Sequence, residues 1–300
     1  MKTGNSLCGG HMRDEFVECY ANYYIKYLEA YKKHGIKISA ITPQNEPETH
    51  QQGRMPACIW HPETEAKFIK ILRQKLDEEG MDVKIWMWDY RFTGIDRVIW
   101  SLDTIEGLAD ACDAAAFHYY GGTIEQTAKL RDKYPKMELH FTEGGPRLYD
   151  HYDTDWCKWG IMISKAMQCG YQSLTGWNLM LDENGGPNIG PYFCGGLVTK
   201  HSITGDIAYS GQSIAMRHIA PYITPDSKIY PFVFDEVPNN PMFAYPKTIA
   251  LTEGFLIQNG NSLVCIIINP DKDKKQIRFY ANNQWWYAEL LANSISTIVF

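Results

Sequence analysis

Short apolar, β-branched runs alternate with stretches of helical period through the first two thirds of this sequence, and that alternation constrains the fold more than any other feature. Strand-like runs fall near residues 37, 84, 114, 138 and 173. Between them apolar residues recur every three or four positions, the mark of amphipathic helices. Residues 14–34 place Phe16, Tyr20, Tyr23, Tyr24, Tyr27, Leu28 and Tyr31 at helical spacing, and Gly35 ends the run. His61-Pro62 opens a second helix, with Pro62 at its first position and Glu63 and Glu65 in its first turn, where carboxylates favour the dipole. Phe68, Ile69, Leu72 and Leu76 line its face, and Gly80 stops it. Further helices are predicted near 95–110 and over 123–133 and 155–169. Strand and helix in turn imply a parallel sheet covered by helices.

From about residue 228 the texture changes. Strand-like runs at 229–234, 248–257, 262–268, 275–280 and 285–299 are separated by Asn, Gly, Pro and Asp, with no helical period among them. They predict a small antiparallel β-domain, with Asn259-Gly260-Asn261 as a hairpin turn. A helix near 210–220 would join the two parts. The expected division is 1–222 for the α/β part and 223–300 for the β part.

Composition excludes several functions. With 45% hydrophobic and 21% charged residues the chain can build a sizeable core. A net charge of −6 leaves no basic footprint for nucleic acid. No run is long and apolar enough to span a membrane, and Met1-Lys2-Thr3-Gly4-Asn5 leads into no signal-peptide core. The 8 cysteines are scattered without a CxxC pair and read as reduced thiols, so a cytoplasmic chain is expected as the sequence stands. The histidines show no metal-ligand spacing. The 9 Trp and 19 Tyr suit large cores, and also the stacking of sugar rings.

The polar residues that close the predicted strands carry the chemistry. Ile38-Ser39-Ala40-Ile41-Thr42-Pro43-Gln44-Asn45-Glu46-Pro47 is an apolar run ending in a carboxylate, and Met137-Glu138-Leu139-His140-Phe141-Thr142-Glu143-Gly144-Gly145 has the same shape. Asp89, His118 and Tyr119, and Trp177 close the other runs. Taken singly, each also has a bland reading, as a solvated turn residue or a packed core side chain. Together they all fall at strand ends on one side of the sheet, where α/β barrels carry their chemistry. Two glutamates so placed suggest the paired carboxylates of a glycosidase, one protonating the leaving oxygen and one ionised to attack the anomeric carbon. Asn45 is placed to hydrogen-bond a sugar 2-hydroxyl.

The ordered set Ile41-Thr42-Pro43-Gln44-Asn45-Glu46-Pro47, Phe117-His118-Tyr119-Tyr120, Phe141-Thr142-Glu143-Gly144 and Gly176-Trp177-Asn178-Leu179 with Gly185-Gly186-Pro187-Asn188 resembles glycoside hydrolase family 30. That is the glucosylceramidase-like family of retaining β-glycosidases, and the resemblance runs over essentially the whole chain. It implies a (β/α)8 TIM barrel with a C-terminal antiparallel β-sandwich domain, and no metal or organic cofactor. Glu46 matches the family's acid/base on strand four and Glu143 its nucleophile on strand seven. Asn45, His118, Tyr119 and Trp177 match residues around the sugar, and Asp89 occupies a similar strand-five position. The implied substrate is a β-linked glucoside or oligosaccharide, with a β-xyloside or β-1,6-glucan as the alternative within the family.

One departure stands out. Only one helix precedes the strand that Glu46 closes, so the resemblance implies a partial barrel of strands four to eight. Met1-Lys2-Thr3 looks like the interior of a Trp-Met-Lys-Thr-like family segment, which would make Met1 an internal methionine. A sheet of this kind has two open edges, expected at 36–42 and 172–179. Self-association through those edges is expected, and an inactive fragment that at most binds carbohydrate is the alternative from another class.

Overall fold

A computed structural model of the chain describes residues 1–5, 7–51, 55–187, 193–232, 234–237 and 252–300. They form two compact units, Met1–Gly144 with Cys169–Thr175, and Gly145–Gln168 with Gly176–Phe300.

The first unit runs through helix α1 (Val17–Lys33), strand β1 (Ala40–Ile41), helix α2 (Pro62–Glu78), strand β2 (Lys84–Arg91), helices α3 (Ile95–Thr104) and α4 (Leu108–Ala111), strand β3 (Ala114–His118), helix α5 (Ala128–Lys133) and strand β4 (Glu138–Glu143). It resumes with strand β5 (Tyr171–Leu174). The five strands make one sheet in the order β1-β2-β3-β4-β5, every pairing parallel. Sequential order without a switch point is the winding of a barrel wall rather than of a doubly wound sheet. β3 is buried along its whole length. Its Ala114 and Ala116 pair with Trp86 and His140 on the flanking strands. Alanine leaves room above the central strand, and the Trp86 and His140 rings stack there at 3.6 Å.

Several expected boundaries shift for identifiable reasons. The run at 36–42 pairs only over Ala40–Ile41, and Ile36 is exposed. β2 does not end at Asp89 but continues to Arg91, through a break in register between Trp88 and Tyr90. The helix near 95–110 is two helices, parted where Gly107 takes φ 75°. The last strand of this sheet stops at Leu174, short of Trp177. Glu65 stands in the first turn of α2 as expected, and it is 3% exposed.

The second unit contains helix α6 (Trp156–Gln168), strands β6 (Met180–Leu181), β7 (Val198–Lys200) and β8 (Ile207–Tyr209), helix α7 (Gly211–Ile219), and strands β9 (Lys228–Pro231), β10 (Phe234–Val237), β11 (Glu253–Asn259), β12 (Ser262–Asn269), β13 (Lys275–Ala281), β14 (Gln284–Leu290) and β15 (Ser294–Val299). Two antiparallel sheets, β10-β13-β14 and β15-β12-β11-β9, hold the C-terminal part. The small sheet β6-β7-β8 was not expected from the sequence, because its strands are only two or three residues long. The single run read at 285–299 is two strands, divided by a turn in which Asn293 takes φ 44°. Residues 248–251 and Asn188 lie outside the described residues.

β12 explains how these sheets pack. Its Ser-Leu-Val-Cys-Ile-Ile-Ile-Asn sequence is apolar on both faces, as befits a strand buried on both sides. Cys265 and Ile267 join Ile277, Phe279, Ala281 and Leu290 in a buried cluster between the two sheets. Ile266 and Ile268 alternate with them, and α6 approaches closely at Gly160. A Cβ at Gly160 would stand 2.9 Å from Ile295 Cδ1 and 3.2 Å from Ile268 Cγ1. Truncating Ile267 to alanine should therefore cost about 2–5 kcal/mol, read as a lower urea midpoint. A loss below about 1 kcal/mol would show that the two sheets do not pack through this residue.

Candidate active site

Two bulges build the centre of the first unit. Across β2 and β3, Trp88 faces Ala116 and Tyr90 faces Phe117, which leaves Asp89 as the extra residue. Across β3 and β4, Phe117 faces Phe141 and His118 faces Glu143, which leaves Thr142 extra. A bulge re-aims the side chain it carries. Here the two extra residues meet: the Thr142 hydroxyl donates to Asp89 Oδ1 at 2.7 Å. The Thr42 hydroxyl, from just beyond β1, donates to Asp89 Oδ2 at 2.9 Å. Tyr24 on α1 steadies that segment, its hydroxyl 3.0 Å from the carbonyls of both Thr42 and Pro43.

His118, at the end of β3, joins three carboxylates. Its Nε2 lies 3.2 Å from Asp89 Oδ1, and its Nδ1 lies 3.2 Å from Glu46 Oε1 and 3.8 Å from Glu143 Oε2. The ring is 1% exposed. Burial opposes charge on it, but the hydrogen bonds to Asp89 and Glu46 and the nearby Glu143 outweigh that, and the imidazole is pushed up to about 9. At neutral pH both ring nitrogens then donate. Burial pushes the Glu143 carboxyl up, while His118 and a hydrogen bond from Tyr120 pull against it. Glu46 also accepts from the Gln51 side-chain amide.

The backbone under these groups is strained. Glu46, Trp88 and Asp89 take φ of 51°, 77° and 54°, a region that costs non-glycine residues on the order of 1–3 kcal/mol each. The Glu46 N–H donates to the Asp89 carbonyl at 3.1 Å, which ties the two carboxylate-bearing segments by main chain as well.

Of the residues singled out from sequence, Glu46, Asp89, His118 and Glu143 come together. Tyr119 is adjacent, its N–H donating to the Glu143 carbonyl at 3.0 Å. Asn45 is exposed, and its carbonyl accepts from the Gln44 side chain at 2.9 Å. Trp177 belongs to the second unit, exposed on the segment between β5 and β6. Thr42, Gln51, Tyr120 and Thr142 were not anticipated. Thr42 and Thr142 had a signal, since each stands within the motif of a candidate glutamate. One donor atom from each of Glu46, His118 and Glu143 lies within 4.8 Å of the others, a spacing that metal ligands also show. In its protonated form the imidazole turns an N–H, not a lone pair, toward Glu46.

Residues 1–210 match the family model for the glycosyl hydrolase family 30 TIM-barrel domain, and the chain belongs to that family. An endo-1,6-beta-D-glucanase of Trichoderma harzianum is 25% identical over 203 residues, covering 65% of this chain and 40% of that protein. Putative glucosylceramidase 3 of Caenorhabditis elegans is 30% identical over 205 residues, covering 62% of this chain and 39% of that protein. The chain thus matches less than half the length of these curated relatives. The crystal structure of SrfJ from Salmonella typhimurium superposes with a TM-score of 0.84 at 23% identity, over 100% of this chain and 66% of that one, a likeness of fold alone. Among the described residues no helix is long and apolar enough to cross a membrane, and none of the eight cysteines forms a disulfide.

The raised His118 value has a stability consequence of definite sign. Its contribution is complete below the unfolded value near 6.5 and is lost as pH rises through about 9. The melting-temperature gap between the unaltered protein and His118→Gln should therefore be wider at pH 6 than at about pH 9.5. A gap that stays constant or widens with pH would mean that His118 is neutral in the folded protein.

Proposed function

We propose that the chain carries the catalytic centre of a retaining β-glycosidase acting on a β-linked glucoside, with Glu143 as nucleophile and Glu46 as general acid and base. The supporting observation is the short reach between the two glutamates, whose nearest oxygens fall within 4.8 Å. Retaining enzymes hold their carboxyls about 5–5.5 Å apart, whereas inverting enzymes leave about 6.5–9.5 Å for a water. In the first step Glu143 attacks the anomeric carbon while the proton on Glu46 passes to the leaving oxygen. In the second, Glu46 takes a proton from water, the water oxygen bonds to the same carbon, and Glu143 is released as carboxylate. Asp89 and Thr142 keep His118 oriented and charged beside both acids. Asn45, Tyr119 and Trp177 are assigned to the sugar and its hydroxyls, and the scheme calls for no metal or organic cofactor.

The five parallel strands are read as strands four to eight of an eight-stranded barrel, the β-rich C-terminal part as a sandwich domain, and the division as 1–222 and 223–300. A glucoside substrate is favoured because both relatives, a 1,6-glucanase and a glucosylceramidase, are named for glucose-containing substrates. The β-1,6-glucan reading rests on the first of them. Self-association through the sheet's edge strands β1 and β5 is part of this reading, and sedimentation at several protein concentrations measures it directly.

Three measurements test the assignment. A 2-fluoro β-glucoside bearing a good leaving group should label Glu143 covalently, as located by peptide mass spectrometry. Glu143→Gln should abolish turnover on every β-glycoside. Glu46→Gln should spare activated aryl glucosides while losing about 10²–10⁴-fold on unactivated ones, which need the proton. Equal losses by both variants on both substrate types would show the role assignment to be wrong. Quenched Trp fluorescence with added glucoside but no turnover by the unaltered chain would favour a carbohydrate-binding fragment.

A further inference from the structure

Glu65 has no place in the chemistry above, yet it is one of the few carboxylates buried in this unit, at 3% exposure. It stands on the first turn of α2 and reaches under β2. Its Oε1 accepts the Trp88 backbone N–H at 2.8 Å, and its Oε2 accepts from the Arg97 guanidinium at 2.9 Å. Arg97, on α3, also donates to Glu48 Oε1 at 2.9 Å and to the Trp60 carbonyl at 3.0 Å. Its guanidinium carbon lies 4.9 Å from the centre of the Trp88 ring. That ring is held in turn by its own Nε1 bond to the Arg91 carbonyl at 3.0 Å, and by Gly94, where a Cβ would come 1.8 Å from Trp88 Cζ2.

These contacts converge on the strained point of the site. Trp88 and Asp89 are the consecutive positive-φ residues that make the β2 bulge. The bulge turns one backbone N–H away from the β-ladder, and Glu65 is its acceptor. From the same guanidinium the second arm runs to Glu48, two residues beyond Glu46 on the same loop. Two of the three segments that bring a carboxylate to His118 are thus gripped from beneath by one buried ion pair. A buried pair of this kind is poor evidence for net stability, because desolvation offsets its attraction. What it supplies is a unique geometry with directional hydrogen bonds.

We propose that the Glu65–Arg97 pair positions the site, fixing the Trp88–Asp89 bulge and the Glu46 loop so that Asp89 and Glu46 meet His118. The kinetic part of this inference rests on the glycosidase reading, whereas the geometric part does not. If Glu65 is replaced, the Trp88 N–H loses its acceptor, the bulge relaxes toward ordinary strand, and Asp89 swings off His118 Nε2.

The test follows His118 by NMR in the full chain with labelled histidine, assigned by His118→Gln. In the unaltered protein it should titrate near 9. In Glu65→Ala its midpoint should fall by about one pH unit or more, as it loses a carboxylate partner. Glu65→Gln keeps an acceptor for Trp88 but not the charge facing Arg97, and should fall between the two. If Glu65→Ala does not fold, Glu65→Gln and Arg97→Met decide, each expected to lower the midpoint. Folded variants in which His118 titrates as in the unaltered chain would overturn the proposal, since a merely structural role leaves that midpoint unmoved. On an aryl β-glucoside, Glu65→Gln should lose about 10²-fold in kcat with KM little changed. A lowered midpoint in a chain that hydrolyses nothing retains the positioning role and removes the glycosidase reading. Normal hydrolysis with an unmoved midpoint does the reverse.

Discussion

The site depends on one positive charge. Glu46, Asp89 and Glu143 crowd around a ring that is almost wholly removed from water. At about 4 Å and an effective dielectric near 20, two like charges repel by roughly 4 kcal/mol, so three ionised carboxylates would not stay together unaided. His118 offsets that repulsion because it is hydrogen-bonded at both nitrogens, and the partners that charge it are the groups it holds together. The interaction is mutual, so losing Asp89 or Glu46 from this cluster also weakens the hold on the other two acids.

That arrangement needs a backbone that an ordinary strand does not supply. A regular β2 would point residues 88 and 89 to opposite faces and keep the ladder hydrogen bonds intact. Positive φ at both positions and the register break give up one ladder bond and some conformational energy to turn the Asp89 carboxylate toward His118. The surrounding packing holds this in place. Tyr24 from α1, Glu65 from α2 and Arg97 from α3 each place a polar group on the strained segments or on the strand ends beside them. Phe68, Ile69 and Leu72 on α2 are fully buried, and Phe68 packs against Tyr20 and Tyr24 of α1.

How far the sequence could be read follows from the range of each signal. Five strands and their intervening helices were legible because each announces itself within a window of a dozen residues. Glu46 and Glu143 were legible because each ends an apolar run and is followed by Pro47 or by Gly144-Gly145, local signs of a strand terminus. Asp89 was recognised as a polar strand-end residue, but it lies inside β2, on a bulge. A bulge is a mismatch between two strands, and no single run of sequence contains it. Glu65 was read only as a first-turn carboxylate favouring the dipole; the partners that meet it in its buried place, Trp88 and Arg97, lie far along the chain. The sheet β6-β7-β8 escaped for the opposite reason, since two- and three-residue strands have no period to detect.

The same charge count bears on how two glutamates divide their work. One imidazolium among three carboxylates leaves an excess of negative charge, and burial adds to the pressure on Glu143 to hold a proton. In the proposed scheme Glu143 must be ionised and Glu46 protonated when the glycosidic bond breaks. A sugar approaching the oxocarbenium-like transition state brings positive charge beside Glu143, which favours its ionised form most at the moment of attack. The proton then belongs on the acid facing the leaving oxygen. In that scheme His118, in contact with Glu46 and near Glu143, holds both carboxyls within reach of each other, and the division of roles follows where the substrate's charge develops.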